Sequence, residues 1–205
     1  GDDTDKVRYE IMKHFGYYIT ESSQHAAEYV PYFLKNAYPL LEQQLGVKTQ
    51  MYLEWGDSQA QYWKESKESL MQNGAVVHTR TEEYASYILE AMQTGKSCMI
   101  GGNVLNHGII ENLPDGCCVE VPCLVDVNGI QPCHLGMLPA QCAGLNMTNV
   151  NVQTLVVQAA IQKRIENVYH AAMLDPHTAA ELSLDDIKSL CDEMLNENKR
   201  WFPYY

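Results

Sequence analysis

The chain has 205 residues, 46% of them hydrophobic and 20% charged, with 14 basic against 26 acidic side chains and a formal charge of −12. A chain of this length buries about 70% of its unfolded surface, so it needs no covalent staples, and nothing in the composition suggests disorder. The negative charge repels phosphate backbones and anionic lipid, which argues against nucleic acid as a partner, and no stretch nears the roughly 20 apolar residues of a membrane span.

The start, "GDDTDKVRYE", is acidic where a signal peptide is basic and then apolar, and Gly1 fits a tag scar. The seven cysteines are an odd number, clustered between Cys98 and Cys142, with no secretion signal ahead of them. They read as reduced thiols of a soluble, cytoplasmic protein.

Apolar Val7, Ile11, Met12 and Phe15 recur at helical spacing behind acidic residues suited to the positive end of a helix dipole, and Gly16 stops that helix. A second helix opens near Ser22 or Ser23, whose hydroxyls accept from first-turn N–H groups, and is disrupted or ended by Pro31. Residues 37 to 72 read as mostly helical, with "AYPLLEQQLG" closing on Gly46 and "SQAQYWKESKESLMQNG" on Gly74. Thr79 with Glu82 fits a capping box, ahead of a helix from about Thr81 to Thr94 that turns Tyr84, Tyr87, Ile88 and Met92 inward.

From Cys98 to Pro139 the texture changes, and "VEVPCLVDVNGIQPCHLG" alternates as strands about an Asn128-Gly129 turn. The string "TNVNVQTLVVQAAIQKRIENVYHAAML" is the longest helical run, ended by Asp175-Pro176. A last helix has Ser183 as N-cap, Asp186 at N3, and Leu182 with Ile187 as a hydrophobic staple. The reading is α+β: a helix-dominated domain with a small antiparallel sheet, single over residues 1–205, without repeats, flexible linkers or low-complexity tracts.

Within "YITESSQHAAEY", Glu21, His25 and then Glu28 or Tyr29 fall on one helix face, with Tyr32 and Phe33 at its edge. Carboxylates beside an imidazole orient it and keep it basic, and a phenol nearby loses its proton only where a cation stabilises the phenolate. A surface helix with an exposed His25 is the competing reading, because structural ion networks look the same in sequence. In "GGNVLNHGIIENLPDG", Asn106 and His107 suit sugar hydroxyls or a cofactor, against the alternative of a turn-rich connector.

Cys117, Cys118, Cys123, Cys133 and His134 invite a zinc reading, but adjacent Cys117 and Cys118 point to opposite faces of a strand and no paired knuckle spacing is present. Cysteine as a small buried hydrophobe accounts for them better. The strings G-x-G-x-x-G, G-x-x-x-x-G-K and G-x-S-x-G are absent, so phosphate-loop, dinucleotide and nucleophile-elbow readings have no support.

Four blocks in order, "RYEIMKHFGYYITESSQHAAEYVPYF", "QNGAVVH", "NHGIIENLPDGCCVEVPCLVDVNGIQPCHLGMLPAQCAGL" and "AAIQKRIENVYHAAMLDPHTAAELSLDDIKSLCDEML", resemble the carboxy-terminal part of family 4 glycoside hydrolases, in the α-galactosidase and α-galacturonidase-like branch. The resemblance runs from Arg8 to about Leu195 and implies the lactate dehydrogenase-like carboxy-terminal fold of that family. It also implies an NAD- and manganese-dependent glycosidase, an exception to the two-carboxylate scheme. There the cofactor oxidises C3 of the sugar, a base removes the acidified C2 proton, the glycosidic oxygen leaves, water adds and C3 is reduced again, with the metal polarising the C2 and C3 oxygens.

The family's NAD-binding Rossmann half, with its metal-binding cysteine and histidine, has no counterpart here, so the resemblance implies a carboxy-terminal fragment. Alone it is expected to hold neither NAD nor Mn2+ tightly and to be inactive, with the missing amino-terminal domain, a sugar substrate and further copies in a homo-oligomer as partners. "EYVPYF" sits where the phospho-glycosidase branch has its base tyrosine, which implies Tyr29 as the C2 base, with His25 or Glu28 as alternatives. Glu21, Asn106, His107 and His134 are expected substrate or cofactor contacts, and no metal ligand is expected. The competing reading is a non-catalytic helical oligomerisation module; zinc binding is a distant third.

Overall fold

The computed structural model describes residues 5–49, 51–73 and 81–203. They form α1 (Lys6–Phe15), α2 (Ser23–Tyr29), α3 (Leu41–Leu45), α4 (Met51–Asn73), α5 (Ala85–Thr94), β1 (Cys98–Leu105), β2 (Cys118–Asp126), β3 (Gly129–Pro132), α6 (Ala140–Gln162), α7 (Ile165–Leu174), α8 (Pro176–Glu181) and α9 (Leu184–Glu197). The strands make one antiparallel sheet in the order β1-β2-β3, so the helix-dominated α+β class is as expected. The chain divides into two compact units: Lys48–Cys98 with Val125–Gly129 is one, and the remainder is the other.

In the larger unit, α1 and α2 pack through a seam of small side chains. Val7, Ala26 and Ala27 have no exposed surface, and Ile11, Val30, Phe33 and Val47 complete this core, with Leu145 of α6 against its edge. Two consecutive alanines let α2 lie close to α1, so its other face stays outward. Gly16 ends α1 in a left-handed conformation, φ 83°, and its N–H bonds the Met12 carbonyl. Asp5 stands at the N-cap position of α1 without a side-chain cap bond: its carboxylate accepts from Arg8 and from the Tyr18 hydroxyl, both at 3.1 Å.

Farther along, α7 packs on α6, α8 and α9. The contact surfaces are small: Ala159 of α6, Ala171 of α7, and Ile187 with Cys191 of α9 are buried. The expected single run from Thr148 instead begins at Ala140 and breaks at Lys163, whose φ of 55° and ψ of 41° put it in the left-handed region. Asp175 then caps α8, accepting from Thr178 N–H at 2.8 Å, with Pro176 at the first helical position. Ser183 caps α9 as the sequence implied, its hydroxyl accepting from Asp186 N–H at 3.2 Å. Of the expected staple, Ile187 is buried and Leu182 is 40% exposed.

In β1, a β-carbon added to Gly102 would stand 2.7 Å from the Cys123 sulfur. That close approach lets β2 bury Cys123 completely, which is the role of a small hydrophobe. In the smaller unit, α5 begins at Ala85 rather than near Thr81, and Tyr84, Tyr87 and Met92 are exposed where they were expected inside; Ala91 alone of this helix is buried. The expected stop at Gly74 and the capping residue Thr79 lie outside the described residues.

An ion pair joins the segment after α2 to α8: Lys35 Nζ stands 3.0 Å from Glu181 Oε1, and Asn36 N–H donates to Glu181 Oε2 at 3.1 Å. The Lys35 ammonium, then the Asn36 N–H, hold the Glu181 carboxyl below its ordinary value. A carboxyl depressed in the folded state adds stability above its unfolded value and loses it as pH falls through the folded one. Urea midpoints are therefore expected to fall on acidification below about pH 4.3, and Glu181→Gln to make that fall shallower. Ser183→Ala should cost about 1 kcal/mol in the same measurement.

Candidate functional site

Local chemistry places the first group of residues. Ser22 caps α2 by accepting from His25 N–H at 3.3 Å, which starts the helix so that Glu21, His25 and Tyr29 follow one another at four-residue steps. Glu21 Oε1 lies 3.1 Å from His25 Nδ1, and the His25 and Tyr29 ring centroids are 6.3 Å apart at an interplanar angle of 45°. Opposite them on the helix, Ala26 and Ala27 face the core. The structure thus brings Glu21, His25 and Tyr29 into a row on the outward side of α2, with Tyr29 47% exposed.

Glu28 does not join that row: Gln24 Nε2 donates to its Oε1 at 2.8 Å, one residue round the helix. Partial burial pushes the Glu21 carboxyl up, but the Ser22 N–H, bonded at 2.7 Å, and the His25 ring outweigh it and leave Glu21 below its ordinary value. An ionised Glu21 can only accept, so this contact calls for a hydrogen on His25 Nδ1, which then donates to Oε1. The end of α2 is anchored across the fold, where Asn149 of α6 donates from Nδ2 to the Tyr29 carbonyl at 3.2 Å. Gln24 could have been inferred from its i,i+4 spacing to Glu28, whereas Asn149, 120 residues away, left no local signal.

A second group sits on the loop between β1 and β2. Asn106 is fully buried, and its role differs from the one expected. Its side-chain amide donates to the carbonyls of Ile110, Leu113 and Pro114, each at 3.0 Å, and its Oδ1 accepts from Ile110 N–H at 2.9 Å. With no exposed surface and both ends of its amide bonded to the loop backbone, Asn106 holds the loop together. Asn112 repeats the device at longer range, exchanging two bonds with the Leu138 backbone at 2.8 and 2.9 Å, just ahead of α6.

His107 and His134 are on the solvent side of this scaffold. His107 Nδ1 is 3.2 Å from Asp115 and His134 Nε2 is 3.3 Å from Glu111, with ring exposures of 67% and 63%. The two loops are joined by the parallel bridge of Ile110 with Gly136 and by the Leu135 N–H to Ile109 carbonyl bond of 2.9 Å. These are imidazole-carboxylate pairs on a rigid surface, able to bond hydroxyls. Among the described residues, no three His, Cys, Asp or Glu side chains come together as a metal-ligand set, and no helix is long and apolar enough to cross a membrane.

This helix-rich α+β domain carries an acid-imidazole-phenol row at α2 and two imidazole-carboxylate pairs on the loops after β1 and β3. The Family 4 glycosyl hydrolase C-terminal domain profile matches residues 2–178, and the chain belongs to that family. An alpha-galactosidase of Bacillus subtilis (strain 168) is 47% identical over 201 residues, 98% of this chain and 46% of the relative. The crystal structure of Bacillus subtilis lplD shares the fold with a TM-score of 0.80 at 21% identity, over 93% of this chain and 43% of that one. A 6-phospho-alpha-glucosidase from gut microorganisms, solved in complex with NAD and Mn2+, gives 0.71 at 18% identity over 94% and 42%. The chain spans about half the length of the curated relatives it matches.

The loop bonds made by Asn106 yield a stability prediction. Asn106→Ala leaves several buried carbonyls without donors and should cost about 1–3 kcal/mol, measured by chemical denaturation.

Proposed function

We propose that this domain supplies the sugar-facing, proton-accepting wall of a family 4 glycosidase that cleaves α-galactosides or uronides. The observation that carries the reading is the row of Glu21, His25 and Tyr29 on one outward face of α2. Substrate class follows from the 47% identity to an alpha-galactosidase. His107 and His134, each already paired with a carboxylate, are assigned to hydroxyl groups of the substrate or to cofactor.

NAD and a divalent metal are assigned to an amino-terminal half. That assignment is supported by the lack of a three-ligand donor set among the described residues and of a Gly-rich dinucleotide turn in these 205 residues. The domain's own contribution is to take and return a proton and to orient the sugar; by itself it is inactive. Tyr29 is the assigned base at C2. A second reading gives that role to His25, favoured by the 3.1 Å contact that fixes its tautomer. The free thiols, with Cys123 and Cys191 buried, suit a reducing cytoplasm, and exposed apolar side chains such as Trp63 and Met71 suit a homo-oligomer.

The test joins this domain to a family amino-terminal half and measures kcat/KM on nitrophenyl α-galactoside with NAD, Mn2+ and reductant. Tyr29→Phe should lower it by about 10²- to 10⁴-fold. Loss in His25→Ala with Tyr29→Phe unimpaired would move the base to His25. Full activity in both variants would remove α2 from the chemistry.

A further inference from the structure

Helix α4, in the smaller unit, is nearly bare among the described residues. Of residues 51–72, Met51, Gln59 and Ser66 are half-buried and the rest are exposed, Leu53, Trp63 and Leu70 by 72%, 69% and 51%. A helix draws most of its stability from packing one face, so a helix of 23 residues, about 35 Å long, with large apolar side chains in solvent calls for a partner. The exposed residues follow a rule. Leu53, Gly56, Ala60, Trp63, Lys67 and Leu70 recur at alternating steps of three and four, the spacing of a seam along which one helix packs on another.

That seam is complementary to itself when read from its two ends. Against an antiparallel α4, Leu53 meets Leu70 of the second copy, Ala60 meets its Trp63, and Gly56 leaves room for the stem of its Lys67, so a small residue faces each long one. A parallel pair would set Gly56 against Gly56 and Trp63 against Trp63. The charges agree with the antiparallel order. Asp57 and Lys64 lie along one edge of the seam, about 10 Å apart on the helix axis and too far to pair within one chain. Among the described residues neither has an ion-pair partner, whereas Glu54 is held by Lys48 at 3.6 Å and Glu65 accepts from Gln61. In the antiparallel pair Asp57 stands beside Lys64 of the second copy, and two-fold symmetry makes that contact twice.

We propose that α4 is a self-recognition helix that pairs antiparallel with α4 of a second copy of this chain, through the seam from Leu53 to Leu70. The occupant is a second copy because each seam residue, and each charge at its edge, finds its complement in this same helix. Two helices meeting along about 26 Å hide an area at the low end of specific interfaces, so the pairing is reversible and depends on concentration. The proposal rests on the homo-oligomer reading and deepens it by naming the contact; it is independent of which residue is the base.

The test is sedimentation velocity of the 205-residue chain across a micromolar concentration series. A monomer–dimer equilibrium is expected, weakened about hundredfold by Trp63→Ala and about tenfold by Asp57→Lys or by Lys64→Asp alone. Mixing the two charge variants should restore wild-type association, because each chain then offers the charge that the other has lost, and the double variant D57K/K64D should recover by itself. All three positions are exposed, and far-UV circular dichroism of each variant is expected to match the wild type. A dimer indifferent to Trp63→Ala and to both charge changes, or mixed charge variants that fail to recover, would overturn this contact and leave the homo-oligomer reading standing. A chain that stays monomeric throughout the series would overturn both, and would give the seam to an amino-terminal half instead.

Discussion

The contact on which the larger unit turns is the close approach of α2 to α1 over Ala26 and Ala27, both without exposed surface. Side chains this small lose almost no rotamer freedom on burial and let two helices meet with their backbones near each other. Because those alanines occupy one side of a seven-residue helix, His25 and Tyr29 are turned outward, and Glu21, just ahead of the Ser22 cap, meets His25 there. The chemistry of that face is therefore a consequence of the core, set by which residues had to be small. The Ser22 cap fixes where the helix begins, and the Asn149 bond to the Tyr29 carbonyl fixes where it ends.

The β1–β2 loop is built on a different economy. It buries Ile109, Ile110 and Leu113, and one buried amide, Asn106, bonds three carbonyls and one N–H of its backbone. Such a network is rigid because every polar atom in it depends on the others for its partner. Two histidines ride on the outside of this frame, each held by a carboxylate, while Asn112 ties the frame to the approach of α6. The frame thus fixes where the two imidazole-carboxylate pairs stand on the surface.

Large apolar side chains left in solvent are the other constraint on interpretation. On α4, Trp55 and Trp63 are 58% and 69% exposed, and on α6, Val156 and Ile161 are 53% and 75% exposed. A chain that spans about half the length of its curated relatives is a natural place for such surfaces. The spacing of Tyr84, Tyr87 and Met92 shows the limit of periodicity in this setting: it states which residues share a helix face and is silent on whether anything covers that face.

The amino-acid string by itself determined the helix ends that carry local chemistry, namely Gly16, Ser22, Gly46 and Ser183, because capping is a contest between neighbouring atoms. It also placed Glu21 and His25 on one face, with Glu28 or Tyr29 as the third member, and carries the order of blocks that marks the family. Tertiary structure alone decided that Asn106 spends its amide on its own loop, that Asn149 bonds the Tyr29 carbonyl, and that the long run breaks at Lys163. The physical reason is shared by all three. A polar group's role is set by whichever partner folding brings within about 3 Å, and whether a backbone turns left-handed without glycine depends on the packing around it, neither of which is written in the spacing of residues.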